Sequence, residues 1–180
     1  RAVALADYED LAFEGSPELA LAHAIPPRVE AVGTVSLVVV PRGAEARPAP
    51  SLELVGRVRE HVGARVSPTV DLVVQGPEWV RVVVAAEVVP ARLEAASEVH
   101  ALVLARLAAF LHPLTGGSAG EGWPFGRRPH RSDLYALVET TPGVDHVRAL
   151  EVETDDMPHP ERSLVYGGEH RIAVVGLADA

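Results

Sequence analysis

The sequence predicts an α+β fold made of two small subdomains, each with an antiparallel or mixed sheet covered by helices. Three observations carry this. Segments of helical and strand periodicity are intermixed along the chain without the regular alternation of a doubly wound sheet. Strand-like runs alternate apolar and polar residues, which marks sheets with one wet face. A unit of helix, proline break and strand also occurs twice. Tyr8-Glu-Asp-Leu11 before Pro17 and an apolar stretch is echoed by Tyr135-Ala-Leu-Val138 before Pro142 and another. The expected join lies near Pro90, giving subdomains 1–90 and 91–180, the second holding a Gly/Trp-rich loop.

The elements follow in order. Asp7 is placed to cap a short helix through Leu11 and Phe13, ended by Gly15-Ser16-Pro17, and a strand from Leu19 to Ile25 stops at Pro26-Pro27. Thr34 to Val40 is a β-branched run closed by Pro41, followed by a Pro-rich loop from Arg42 to Pro50. Ser51 caps a helix whose expected apolar stripe is Leu52, Val55, Val58 and Val62, with Gly63 as terminator. Thr69 to Gln75 alternates cleanly, and after Gly76-Pro77 the residues Val80, Val82, Val84, Ala86 and Val88 face one way. A long helix is expected from about Arg92 to Leu111, with Leu93, Ala96, His100, Val103, Leu107 and Phe110 on its apolar face.

The segment from His112 to Pro129 is too glycine-rich for regular structure, yet Trp123 and Phe125 within it seek burial, so it reads as an ordered loop. Ser132 is placed to cap a helix bearing Leu134, Leu137 and Val138, which stops at Thr141-Pro142-Gly143. In the strand that follows, from about Val144 to Val152, Val147 and Ala149 share one side while Leu150 and Val152 share the other. That slip predicts a bulge or an edge position. Leu164 to Leu177 reads as a hairpin turning at Gly167-Gly168.

Composition removes whole classes of chemistry. The chain has 180 residues and a formal net charge of −9, so an acidic surface repels phosphate backbones and anionic lipid, and nucleic acid is not an expected partner. All 16 basic residues are Arg, which excludes Schiff-base chemistry, a lysine base and the Lys of a phosphate-binding P-loop. With no Cys there is no thiol nucleophile, disulfide or thiolate metal site. The longest nearly apolar run, Val99 to Leu111, is interrupted by His100 and Arg106 and is too short to span a bilayer, so no direct membrane insertion is expected. The chain starts at Arg1 and runs straight into a helical pattern, and it is read as a piece of a longer polypeptide.

Thr115-Gly-Gly-Ser-Ala-Gly-Glu-Gly122 follows a helix and lacks the Lys of a phosphate loop, so it reads as a structural turn. The run Arg127-Arg128-Pro129-His130-Arg131 is the one dense positive patch. Next to Ser132 at a helix start it suits either an anion or an acidic protein surface. Asp155, Asp156, His159 and Glu161 are the raw material of a metal site, but their spacing matches no metal motif and a solvated acidic loop is preferred. No Gly-x-Ser-x-Gly nucleophile elbow occurs. The expectation is a protein that is not an enzyme, with no catalytic residue, no metal and no cofactor. Two rival readings are a stand-alone ligand-binding α+β module and, less favoured, a metal-dependent hydrolase in which Asp155, Asp156 and His159 converge.

Longer motifs add a family resemblance. Phe110-Leu-His-Pro-Leu-Thr-Gly-Gly117, Gly122-Trp-Pro-Phe-Gly-Arg127, Ser132-Asp-Leu-Tyr135 and Thr141-Pro-Gly-Val-Asp-His-Val147 together resemble the C-terminal region of baseplate J-like wedge proteins. These proteins build the baseplate ring of contractile phage tails and related bacterial injection systems. Asp7-Tyr-Glu-Asp-Leu-Ala12 and Gly33-Thr-Val-Ser-Leu-Val-Val-Val-Pro41 resemble the family's preceding segments, whereas Ser16-Pro-Glu-Leu19 and Arg128-Pro-His-Arg131 depart from its pattern. The resemblance implies a non-catalytic structural wedge subunit that forms a ring around a central spike by protein–protein contacts. Its partners would be copies of itself, other wedge subunits, and spike and sheath components. Its place would be the baseplate of a virion or phage tail-like particle, assembled in the bacterial cytoplasm. The expected interface residues are Trp123, Phe125, Arg127, Arg128 and Arg131. The two rings are expected to pin the loop to the core, and the three arginines to face outward toward an acidic neighbour.

Overall fold

The computed structural model describes residues 2, 4–27 and 33–176; Arg1 and Leu177, which end two of the sequence-based readings, lie outside them. The chain divides into two units, Arg1–Glu78 with Glu161–Ser163, and Trp79–Pro160 with Leu164–Ala180. Both mix helices with sheets, and the fold is α+β.

The first unit contains α1 (Leu5–Gly15), β1 (Leu19–Ile25), β2 (Thr34–Pro41), α2 (Leu52–Gly63) and β3 (Asp71–Gln75). Its sheet has the order β1-β2-β3, with β1 antiparallel and β3 parallel to β2. A parallel pair needs a crossover connection, and α2 supplies it. The Ser51 hydroxyl accepts a bond from the Leu54 amide at 3.1 Å, the expected cap. The buried face of α2 is Leu54, Val58 and Val62, however, and Leu52 is 92% exposed. Two positions along a helix are about 200° of rotation, so a face centred on Leu54 turns Leu52 to solvent. Helix α1 starts two residues before its expected cap. Asp7 sits inside its first turn and its carboxylate accepts from the Ala4 amide at 2.8 Å. Tyr8, Leu11 and Ala12 then pack with the α2 stripe, Leu37 and Val39 in one aliphatic core.

The second unit is built on β4 (Glu78–Pro90), 13 residues long, followed by a 3-10 turn at Leu93–Ala95, α3 (Ala96–Phe110), α4 (Arg131–Glu139), β5 (Val144–Thr154), β6 (Ser163–Gly167) and β7 (Arg171–Val174). β4 pairs antiparallel with β5, parallel with β7, and also with β6. Two expectations change here. The join foreseen near Pro90 falls between Glu78 and Trp79, because all the pairing of β4 is with second-unit strands. The hairpin foreseen at Gly167-Gly168 does not form, because β6 and β7 are each paired with the long β4. The expected bulge is present, with Glu87 opposite Ala149 and Val88 opposite Val147, which leaves Arg148 as the extra residue.

The face of α3 is rotated from expectation. Val99, Val103, Leu107 and Leu111, spaced four apart, are buried against Val82, Val84, Ala86 and Val88 of β4, whereas Leu93 is 67% exposed. Each such side chain contributes about 1.5–3 kcal/mol of burial. Among the described residues no helix is long and apolar enough to cross a membrane.

Between β6 and β7, the His170 ring accepts a bond from the Val84 amide through Nδ1 at 3.1 Å, while its Nε2 is buried without a partner. Burial lowers its pKa from the ordinary imidazole value of 6.5. The unfolded chain therefore takes up a proton on this ring before the folded chain does, so folding loses stability as pH falls below about 6.5 and the loss levels off below the folded-state value. His170→Asn should flatten that part of the stability profile. Equal slopes for the two proteins in denaturant titrations between pH 7 and pH 5 would rule this out.

Candidate functional site

Several sequence-predicted residues meet on the loop between α3 and α4. It is closed by the backbone. The Gly116 amide donates to the His112 carbonyl at 2.8 Å, that of Gly117 to Phe110 at 2.8 Å, that of Gly122 to Gly116 at 3.0 Å and that of Trp123 to Pro113 at 2.9 Å. His112 Nδ1 takes up the Leu114 amide at 3.2 Å and lies 3.0 Å from the Thr115 hydroxyl. The Trp123 indole N–H reaches the Phe110 carbonyl at 2.9 Å, and the two rings meet edge to face at 5.5 Å and 85°. Trp123 thereby packs against the core of the second unit, and Phe125 is half-buried.

The arginines divide into two kinds. Arg127 and Arg128 are exposed, Arg128 reaching the Asp155 carbonyl at 3.4 Å. Arg131 is exposed as well but is also tied down. Its Nε and Nη2 donate to the Leu150 carbonyl at 3.2 and 2.7 Å and tie the start of α4 to β5. Tyr135 adds a bond from its hydroxyl to the Val147 carbonyl at 3.4 Å. Nor does Ser132 cap α4. His130 occupies the cap position without a side-chain bond, and Ser132 is the second helical residue.

Beside the loop lies an open pocket of about 310 Å³. Phe110, Trp123 and Pro124 give it an apolar wall, Arg127, Arg128 and His130 a basic one, and Glu121 and Asp133 also line it. Sequence reasoning identified the tryptophan and the basic run but missed Phe110, Glu121 and Asp133 as lining residues. The Gly-Trp-Pro-Phe-Gly-Arg motif marks where the loop turns, but it carries no signal for what lies across from it.

The acidic segment, read as a solvated loop in preference to a metal site, is tied to β4. Asp155 pairs with Arg81 at 3.3 Å, and its amide donates to the Arg81 carbonyl at 3.0 Å. Among the described residues no group of three or more His, Asp or Glu side chains is placed to hold a metal ion. The glycine segment 115–122 has its amides turned to loop carbonyls, as a structural turn requires.

No protein-family model matches the chain, and no curated protein matches it. Solved structures do match it, 17 chains in all. One is a chain in the cryo-EM structure of the anti-feeding prophage (AFP) baseplate, 6-fold symmetrised, with a TM-score of 0.69 and 19% sequence identity. The alignment covers 94% of this chain and 38% of that one, so the present chain spans well under half the length of the protein it matches. At this identity the likeness establishes a shared fold.

Proposed function

We propose that the chain is a structural wedge subunit of the baseplate of a contractile tail or injection system, part of a longer protein that helps form the ring around the central spike. The observation that carries this reading is the fold match, which takes in both units and nearly the whole chain against a baseplate chain. The motif resemblance between Phe110 and Val147 supports it independently, since it rests on residue identities. The role is non-catalytic and needs no cofactor. The partners are copies of the chain and other wedge subunits, with spike and sheath components as further neighbours, in a particle assembled in the bacterial cytoplasm. Two rivals are less well supported. A metal hydrolase needs a convergence of Asp155, Asp156 and His159 that the Arg81 pairing of Asp155 disfavours, and a small-ligand module is disfavoured by how open the pocket is.

Within this reading Arg127 and Arg128 form a basic contact surface for an acidic neighbour. Arg127→Glu combined with Arg128→Glu is expected to leave the melting temperature nearly unchanged, because both side chains are exposed, and to block incorporation into particles. Normal incorporation of the double variant would refute the contact. The role itself is tested by gold labelling of a tagged chain on purified particles: label at the baseplate end supports it, and label elsewhere or none at all overturns it.

A further inference from the structure

We propose that the pocket beside Trp123 receives helix α1 of a second copy of the chain, with Phe13 as apolar anchor and the neighbouring Asp10 and Glu14 carboxylates meeting Arg127 and Arg128. This names the surfaces of the copy-to-copy contact and rests on the baseplate reading only for its setting.

Helix α1 is complementary to the pocket in two respects. It carries Asp7, Glu9, Asp10 and Glu14 and no basic residue, while the pocket carries the densest basic run of a chain whose net charge is −9. Its inner face buries Tyr8, Leu11 and Ala12, and its outer face leaves Phe13 41% exposed, one of only eight aromatic residues in the chain. Asp10 lies one helical turn before Phe13 and Glu14 directly after it, so the ring is flanked by carboxylates. An isolated exposed ring is unremarkable. Here a matching receptor exists, an aromatic wall of Phe110 and Trp123 with room for one ring, rimmed by two exposed arginines.

The mixed charge of the pocket decides what kind of occupant fits. Glu121 and Asp133 offset the arginines, so a simple anion gains little, whereas an occupant that adds an apolar ring to its carboxylates gains from the Phe110 and Trp123 lining as well. The uncapped start of α4, where His130 makes no side-chain bond, adds favourable dipole for those carboxylates. Because the two surfaces differ, the contact is heterologous and runs head to tail, the geometry that closes into rings or extends into open arrays.

The test uses the intact chain in sedimentation velocity at low salt, up to about 1 mM, a concentration that detects even weak pairing. Wild-type protein is expected to associate reversibly and less strongly as salt is raised. Asp10→Arg, which spoils α1 but keeps the pocket, and Arg127→Glu, which spoils the pocket but keeps α1, should each weaken self-association at least about tenfold. Mixed together, they should associate again, because the intact helix of one variant meets the intact pocket of the other. Should Asp10→Arg fail to fold, Phe13→Ser takes its place. A monomeric wild type, undiminished association of either variant, or a mixture that stays monomeric would overturn the proposal. Those results leave the labelling experiment on particles to decide the baseplate reading separately.

Discussion

Replacing Trp123 by alanine is expected to lower the melting temperature of the second unit by about 5–10 °C. The indole does three things at once: it fills the apolar side of the loop, meets Phe110 edge to face, and satisfies the Phe110 carbonyl at the end of α3. Full truncation of a buried Trp costs about 3–5 kcal/mol; a half-buried ring with one hydrogen bond should lose roughly 2–3. At about 2–4 °C per kcal/mol for a chain of this size, the stated shift follows. Trp123→Phe keeps a ring against Phe110 but loses the donor and part of the ring area, and it should recover about half of the loss. Differential scanning calorimetry reads both variants. An unchanged melting curve for Trp123→Ala would mean that the loop is ordered by its backbone bonds alone.

Gly122→Ala is expected to do comparable or greater damage without removing any side chain. Gly122 has φ +88°, and a Cβ there would stand 2.6 Å from the Pro113 carbonyl oxygen and 2.8 Å from that of Leu114. Both obstacles are backbone and neither can swing aside, so the loop must open at the step where the Trp123 amide meets Pro113. Left-handed backbone costs an alanine roughly 1–2 kcal/mol, and the clash raises the total to about 3 or more. Gly120→Ala is the control. Its φ is +71°, yet the nearest atom to its Cβ is 4.0 Å away, so it should lose only the conformational part. The expected readout for Gly122→Ala is a lower melting temperature together with a red shift in tryptophan emission as Trp123 becomes wetted. Equal effects at the two glycines would show that close packing against Pro113 is unimportant.

What the sequence made legible was local. The Ser51 cap depends on an amide three residues away, and the bulge near Arg148 follows from a slip in an alternation that is visible within six residues. Pairings set by distant partners were not legible. Gly167-Gly168 resembles a turn, but β4 is long enough to pair with both β6 and β7, so the chain there does not fold back on itself. Helix rotation failed for a related reason. Leu52 and Leu93 are as apolar as their neighbours, and only the position of the sheet determines that Leu54 and Val99 face it instead. In the candidate site the basic run was evident, but the division of labour within it was not. All three arginines are exposed, but Arg131 is bonded to the Leu150 carbonyl, 19 residues further on.

The Phe110 carbonyl accepts both the Gly117 amide and the Trp123 indole proton. One acceptor at the last turn of α3 therefore holds two points of the loop. In kinetic terms this sharing predicts that the Phe110 anchorage of the loop forms after the last turn of α3, with lower φ-values at Trp123 than at Leu107. In hydrogen exchange the two protons should be released together, in a single opening event, and that event should require fraying of the α3 C-terminus.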